Sequence, residues 1–166
     1  FLGGANWGSG AYDPARQWLY VSTLNAPGVA RLIPRTDAAA KSPTMTEGRE
    51  LDLGAGVMFA QRGTPYQVET CTAPPWGRLA AVDLAEGTIR WQVALGSIEK
   101  INPLRIPLEY GTPNAGGAIV TAGNLVFIAA SMDNKFRAYD AESGEVLWTA
   151  RLPAGGQATP MTYSMD

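Results

Sequence analysis

Residues 81–91 read Ala-Val-Asp-Leu-Ala-Glu-Gly-Thr-Ile-Arg-Trp, and residues 138–148 read Ala-Tyr-Asp-Ala-Glu-Ser-Gly-Glu-Val-Leu-Trp. Both fit the frame A-x-D-x-x-x-G-x-x-x-W, with Trp91 and Trp148 57 residues apart. A repeat at this period marks one supersecondary unit stacked against a copy of itself. Each copy has the grammar of a β-hairpin. An apolar run (Leu79 to Val82, then Phe136 to Tyr139) precedes an Asp whose carboxylate can accept backbone N–H bonds two residues on. Gly87 and Gly144 supply a positive φ, and a second strand ends in Trp, a large apolar anchor that keeps one polar N–H.

The other halves of the repeats match more loosely. Gly10 to Asp13 followed by Trp18 to Thr23 parallels Gly117 to Val120 followed by Asn124 to Ala129, with Asp13-Pro14 and Ala122-Gly123-Asn124 as turn signals. The unit is four antiparallel strands, and repeated four-stranded sheets at this spacing predict a β-propeller. A sandwich gives no reason for the repeated Trp and Gly frame, and solenoid rungs repeat at shorter spacing. The expected layout is one blade over 3–95, carrying an insertion at 24–77, a second blade over 116–152, and the start of another over 155–166. The insertion is rich in Pro, Gly and Thr and is expected to loop across one face. Residues 36–50 are expected as loop rather than helix. Two blades do not close a ring, so further blades or a partner chain are implied.

Composition narrows function. The 166 residues contain no histidine and one cysteine, Cys71. The chain by itself therefore has no Ser-His-Asp or Cys-His mechanism, no His-containing metal site and no internal disulfide. No apolar run approaches the roughly 18 residues of a membrane span. Thirteen basic against fifteen acidic residues, with no basic stripe, argue against nucleic acid. The opening Phe1-Leu2-Gly3-Gly4 lacks an initiator Met and reads as cut from a longer chain.

The repeated frame resembles the tryptophan-docking motif of pyrroloquinoline quinone (PQQ) dependent dehydrogenases, which are eight-bladed propellers. Three segments are similar to the C-terminal third of the membrane-bound glucose/quinate type: Gly4 to Gly8 with Asp13-Pro14, Pro74 to Leu84, and the long run from Gly111 to Tyr163. The resemblance implies an oxidoreductase that oxidises a sugar, polyol or alcohol in the periplasm. PQQ would carry the redox chemistry, a divalent metal, usually calcium, would hold it, and a quinone-type acceptor would take the electrons. The family's base and its quinone-polarising Lys lie in earlier blades that no segment here matches. No catalytic residue and no metal ligand is therefore assigned, and the chain alone is expected to be inactive. Any membrane attachment would come through N-terminal segments outside this sequence.

Five residues fall at or beside cofactor-side positions of the family, Ser22 as a departure from its pattern. Asn6-Trp7 resembles an Asn-Trp pair that faces PQQ at the start of a blade. Asp133, followed by Asn134, matches an Asp near the cofactor, although Asp-Asn between strands is also ordinary turn chemistry. Ser22 stands where the glucose enzymes carry a cofactor-contacting Asn. Being shorter, it leaves that contact weaker or to Asn25 or water. Trp91, Trp148, Asp83 and Asp140 read as structural members of the docking motif, and Gly116-Gly117 as a close approach into a strand. The alternative is a non-catalytic propeller scaffold carrying the docking frame alone.

Overall fold

The computed structural model describes residues 3–5, 8–25, 29–34, 50–52, 57–62, 73–99, 104 and 106–164. Twelve strands are present and no helix occurs among these residues. The first sheet contains β1 (Gly3–Ala5), β2 (Ala11–Asp13), β3 (Trp18–Asn25), β7 (Gly77–Asp83) and β8 (Thr88–Ala94). Its order is β1-β3-β7-β8, with β2 also on β3. β1 pairs with Thr23–Asn25 and β2 with Trp18–Tyr20, so the two short strands share one edge of β3. The second sheet is β12-β11-β10-β9, built from β9 (Ala118–Val120), β10 (Leu125–Ile128), β11 (Lys135–Asp140) and β12 (Val146–Arg151). All of its pairings are antiparallel. These are the two expected blades.

Alternation decides which face is buried. Along β3, Trp18, Tyr20, Ser22 and Leu24 are buried while their neighbours are not. That period of two sends one set of side chains toward the second sheet. Tyr20, Leu79 and Ala81 there meet Ala118, Val126, Ile128 and Tyr139 in one core. Alanines at facing positions let the sheets approach. The approach is closest where glycine is needed: a Cβ on Gly117 would stand 1.7 Å from the Gly8 carbonyl oxygen.

The repeated frame works as its residues suggest. Asp83 Oδ1 accepts from Ala85 N (2.9 Å) and Glu86 N (3.1 Å), and Asp140 Oδ1 from Glu142 N (2.9 Å) and Ser143 N (2.8 Å). These bonds, the one to Glu86 N foremost at Asp83 and the one to Ser143 N at Asp140, hold both carboxyls below their ordinary range against the opposing pull of burial. Gly87 and Gly144 sit at φ 68° and 76°. Trp91 reaches from the first blade to the second: its indole Nε1 donates to the Ala141 carbonyl at 3.0 Å and its ring lies on Gly144. Trp148, in the same repeat position, is 50% exposed.

A third copy of this turn is hidden in the β2–β3 connection. Asp13 Oδ1 accepts from Ala15 N and Arg16 N, and Gln17 takes φ 57° at the place glycine holds in the other copies.

Two expectations differ from the structure. The insertion was read as loop, yet it carries an antiparallel sheet, β4-β6-β5, made of β4 (Val29–Pro34), β5 (Glu50–Asp52) and β6 (Val57–Arg62). It falls in a compact unit of its own over Ala26–Thr72. The surrounding Gly, Pro and Thr mask two short apolar runs when composition is averaged. Residues 36–49 lie outside the described residues, and Glu50 opens β5. The tail was expected to begin another strand, but residues 152–164 form none. A strand needs a ladder partner; the tail instead lies against the two blades, with Thr159 Oγ1 donating to the Gly8 carbonyl at 3.1 Å.

Candidate functional site

Of the residues expected on the cofactor side, Asn6 and Trp7 lie outside the described residues, as does Cys71. Ser22, Asp133 and Asn134 gather at one end of the two sheets. Asp133 and Asn134 form the link between β10 and β11, and Ser22 lies late in β3. The ends are tied by backbone. Ser22 Oγ donates to the Gly116 carbonyl at 3.2 Å, and Asn114 Nδ2 donates to the Thr23 carbonyl at 3.0 Å. Asn114 also makes a bridge with Ser131, whose hydroxyl donates to Asp133 Oδ1 at 2.6 Å.

Asp133 is 4% exposed and is the hub of this end. Its Oδ2 accepts from Ser97 N at 2.9 Å, just beyond β8, and its Oδ1 accepts from Lys135 N at 3.2 Å. Arg137 grips both oxygens, Nη1 on Oδ1 at 3.2 Å and Nη2 on Oδ2. Burial alone would raise this carboxyl. The hydrogen bonds from Arg137 and Ser131 outweigh it and hold the group below the usual carboxylate range. Burial likewise opposes the charge on Arg137, and Asp133 more than restores it. The pair is fully ionised at neutral pH, so Asp133 is not poised to carry a proton.

A wider ring of charge surrounds the pair. Glu109 lies 3.7 Å from Arg137 and 3.9 Å from Lys135. Glu99 lies 3.9 Å from Lys135 and 3.7 Å from Arg151. Both glutamates sit on the connection between the blades, so that connection is tied to β11 and β12 by charge. A cavity of about 390 Å³ adjoins the cluster, lined by Glu109, Lys135, Arg137 and Tyr139 among others. Burial pushes the Tyr139 phenol up to about 12.

Asn134 is half-buried in a left-handed conformation (φ 58°), its Nδ2 donating to the Pro153 carbonyl at 3.3 Å. Asn25, read as a possible stand-in for Ser22, is exposed at the end of β3. The polar groups at this end are thus turned toward one another. The Ser22 hydroxyl donates to Gly116 and the Asn134 amide to Pro153, while Asp133 offers acceptors only, both of them engaged inside the chain. Among the described residues no group of three or more His, Cys, Asp or Glu comes together to hold a metal ion.

Sequence reasoning missed Arg137. The signal was available in the repeat: Arg137 stands where the first copy has Ala80, and Asp133 where it has Trp76. A charged residue inside an apolar run that precedes a buried turn needs a counter-ion.

Two antiparallel sheets, joined by a tryptophan of one seated on the Asp–Gly turn of the other, define a section of a β-propeller. The chain belongs to the PQQ family of glucose, ethanol and alcohol dehydrogenases, whose β-propeller domain matches residues 1–166. It is 36% identical to the quinate/shikimate dehydrogenase (quinone) of Acinetobacter baylyi, over 98% of this chain and 22% of that protein. It is 38% identical to quinoprotein glucose dehydrogenase A of Acinetobacter calcoaceticus, over 99% of this chain and 22% of that protein. A quinohemoprotein alcohol dehydrogenase from Pseudomonas putida has a similar structure, with TM-score 0.64 and 26% identity over 98% of this chain and 21% of that one. The chain thus spans about a fifth of the length of these relatives.

Proposed function

We propose that the chain is a two-blade section of a quinoprotein dehydrogenase that oxidises a sugar, polyol or alcohol. The observation that carries this is the family match along the whole chain, together with two docking repeats that fold as blades. PQQ, when bound, supplies the redox chemistry. The base, the polarising Lys and the metal ligands belong to parts of the protein that this chain does not contain. Periplasmic location and electron transfer to a quinone-type acceptor are part of the same proposal.

Within it, the end carrying Ser22, Asp133 and Asn134 faces the cofactor. Asn6 and Trp7 make contact, and the other three act from behind. Ser22 pins β3 to the start of the second blade. Asp133 with Arg137 fixes the link between β10 and β11, and Asn134 fixes the tail.

The test compares this chain with the longest reading frame that contains it. Both are loaded with PQQ and calcium and screened for dye-linked oxidation of glucose, quinate, glycerol and simple alcohols. The longer protein is expected to reduce dye with at least one of these, and the 17.6 kDa chain with none. Turnover by the pure chain, or a PQQ-loaded longer protein inert to every substrate class, overturns the reading.

A further inference from the structure

Trp76 stands just before β7, at the place in the first blade that Asp133 holds near the start of β11 in the second. It is therefore on the same end of the sheets as Ser22 and Asp133. Its backbone is held from both sides: the Trp76 carbonyl accepts from Asn25 N at 2.7 Å, and Trp76 N donates to the Tyr110 carbonyl at 2.9 Å. Tyr110 lies on the connection between the blades. Its ring meets the Trp76 ring at a right angle, with centroids 6.2 Å apart, so the two planes make a corner. Trp76 is half-buried and Tyr110 is 41% exposed, with Asn25 and Pro74 exposed next to Trp76. β7 is flanked by β3 and β8, and the connection runs between two blades that are both present, so the corner is not an outer edge of the section.

We infer that this corner holds the ring of a cyclic sugar or cyclic polyol substrate. Such a ring carries its hydroxyls around the rim and leaves C–H groups on its faces. An aromatic face is apolar and carries the negative end of the ring quadrupole, so it attracts those C–H groups and leaves the hydroxyls free to bond elsewhere. Two planes at a right angle meet a face and an edge of one such ring together, a shape that a short open-chain alcohol does not offer. Tyr110 adds a phenol hydroxyl, which can donate to or accept from a sugar hydroxyl. The inference rests on the reading of the chain as part of a sugar, polyol or alcohol dehydrogenase and narrows it to ring-bearing substrates.

Steady-state kinetics of the longer protein, loaded with PQQ and calcium, read the inference with glucose and quinate set against glycerol and ethanol. Tyr110→Ala removes the more open plane, and Tyr110→Phe keeps it. Tyr110→Ala is expected to raise KM for the ring substrate roughly five- to tenfold, the size of one aromatic contact. It is expected to leave kcat, and KM for any open-chain substrate the protein accepts, within about twofold, because only binding of the ring is lost. Tyr110→Phe is expected to stay within about threefold of wild type on every substrate. Circular dichroism checks folding, and Tyr110→Leu, which keeps apolar bulk without a ring, replaces Tyr110→Ala if that variant does not fold. An unchanged KM for the ring substrate, a loss that falls on kcat instead, or a KM that rises equally for open-chain substrates would each overturn the inference. A wild-type protein that oxidises only open-chain alcohols also overturns it and leaves the broader reading standing. One that is inert to every substrate class overturns both.

Discussion

Asp133→Asn keeps the shape of the side chain and removes its charge. Arg137, whose side chain is 4% exposed, then loses its buried counter-ion, and Oδ1 and Oδ2 no longer act as a bidentate acceptor. Breaking a buried pair by removing one partner costs about 3–5 kcal/mol. Glu109, 3.7 Å from Arg137, offers a second negative charge and pulls the cost to the lower end, about 3 kcal/mol. At about 2–4 °C per kcal/mol for a chain of this length, Tm falls by roughly 6–12 °C. The pH dependence gives a second readout. The folded carboxyl titrates below the ordinary aspartate range, so the unfolded state binds more protons as pH falls through that range. The pair's contribution is complete above about pH 4–5 and is lost as pH drops toward the folded pKa. Asp133→Asn is therefore expected to lower stability at neutral pH and to flatten part of the acid limb. Urea denaturation of both chains from pH 7 to pH 3 measures both effects. A loss below about 1 kcal/mol at pH 7, with an unchanged acid limb, would refute the assignment of Asp133 as the hub of this end.

Gly117→Ala forces a methyl into the Gly8 carbonyl, which it would approach to 1.7 Å, and is expected to cost about 3 kcal/mol or prevent folding, read by chemical denaturation. Gln17→Gly relieves a left-handed residue at φ 57° and matches the turn to those at Gly87 and Gly144; a gain of about 0.5–1 kcal/mol is expected in the same assay.

The sequence by itself determined the blades. The two copies of the docking frame fix where Asp starts a turn, where Gly takes positive φ and where Trp ends a strand, because each of these needs a particular residue at a particular offset. The same local logic extends to Asp13, although Gln17 in place of glycine hides that copy from a pattern search. What local chemistry does not carry is partnership between distant segments. That Ser97, Ser131 and Arg137 converge on Asp133 follows from the blades packing side by side, which brings the end of β8 to the start of β11. The sheet inside the insertion likewise depends on β4 finding β6, some thirty residues on, rather than on its composition. Trp91 and Trp148 make the point most plainly. The repeat gives them one identity, and it is the tertiary structure that seats Trp91 on the Asp140–Gly144 turn, because the sheet carrying that turn packs beside β8 and no local residue pattern records which neighbour a strand will meet.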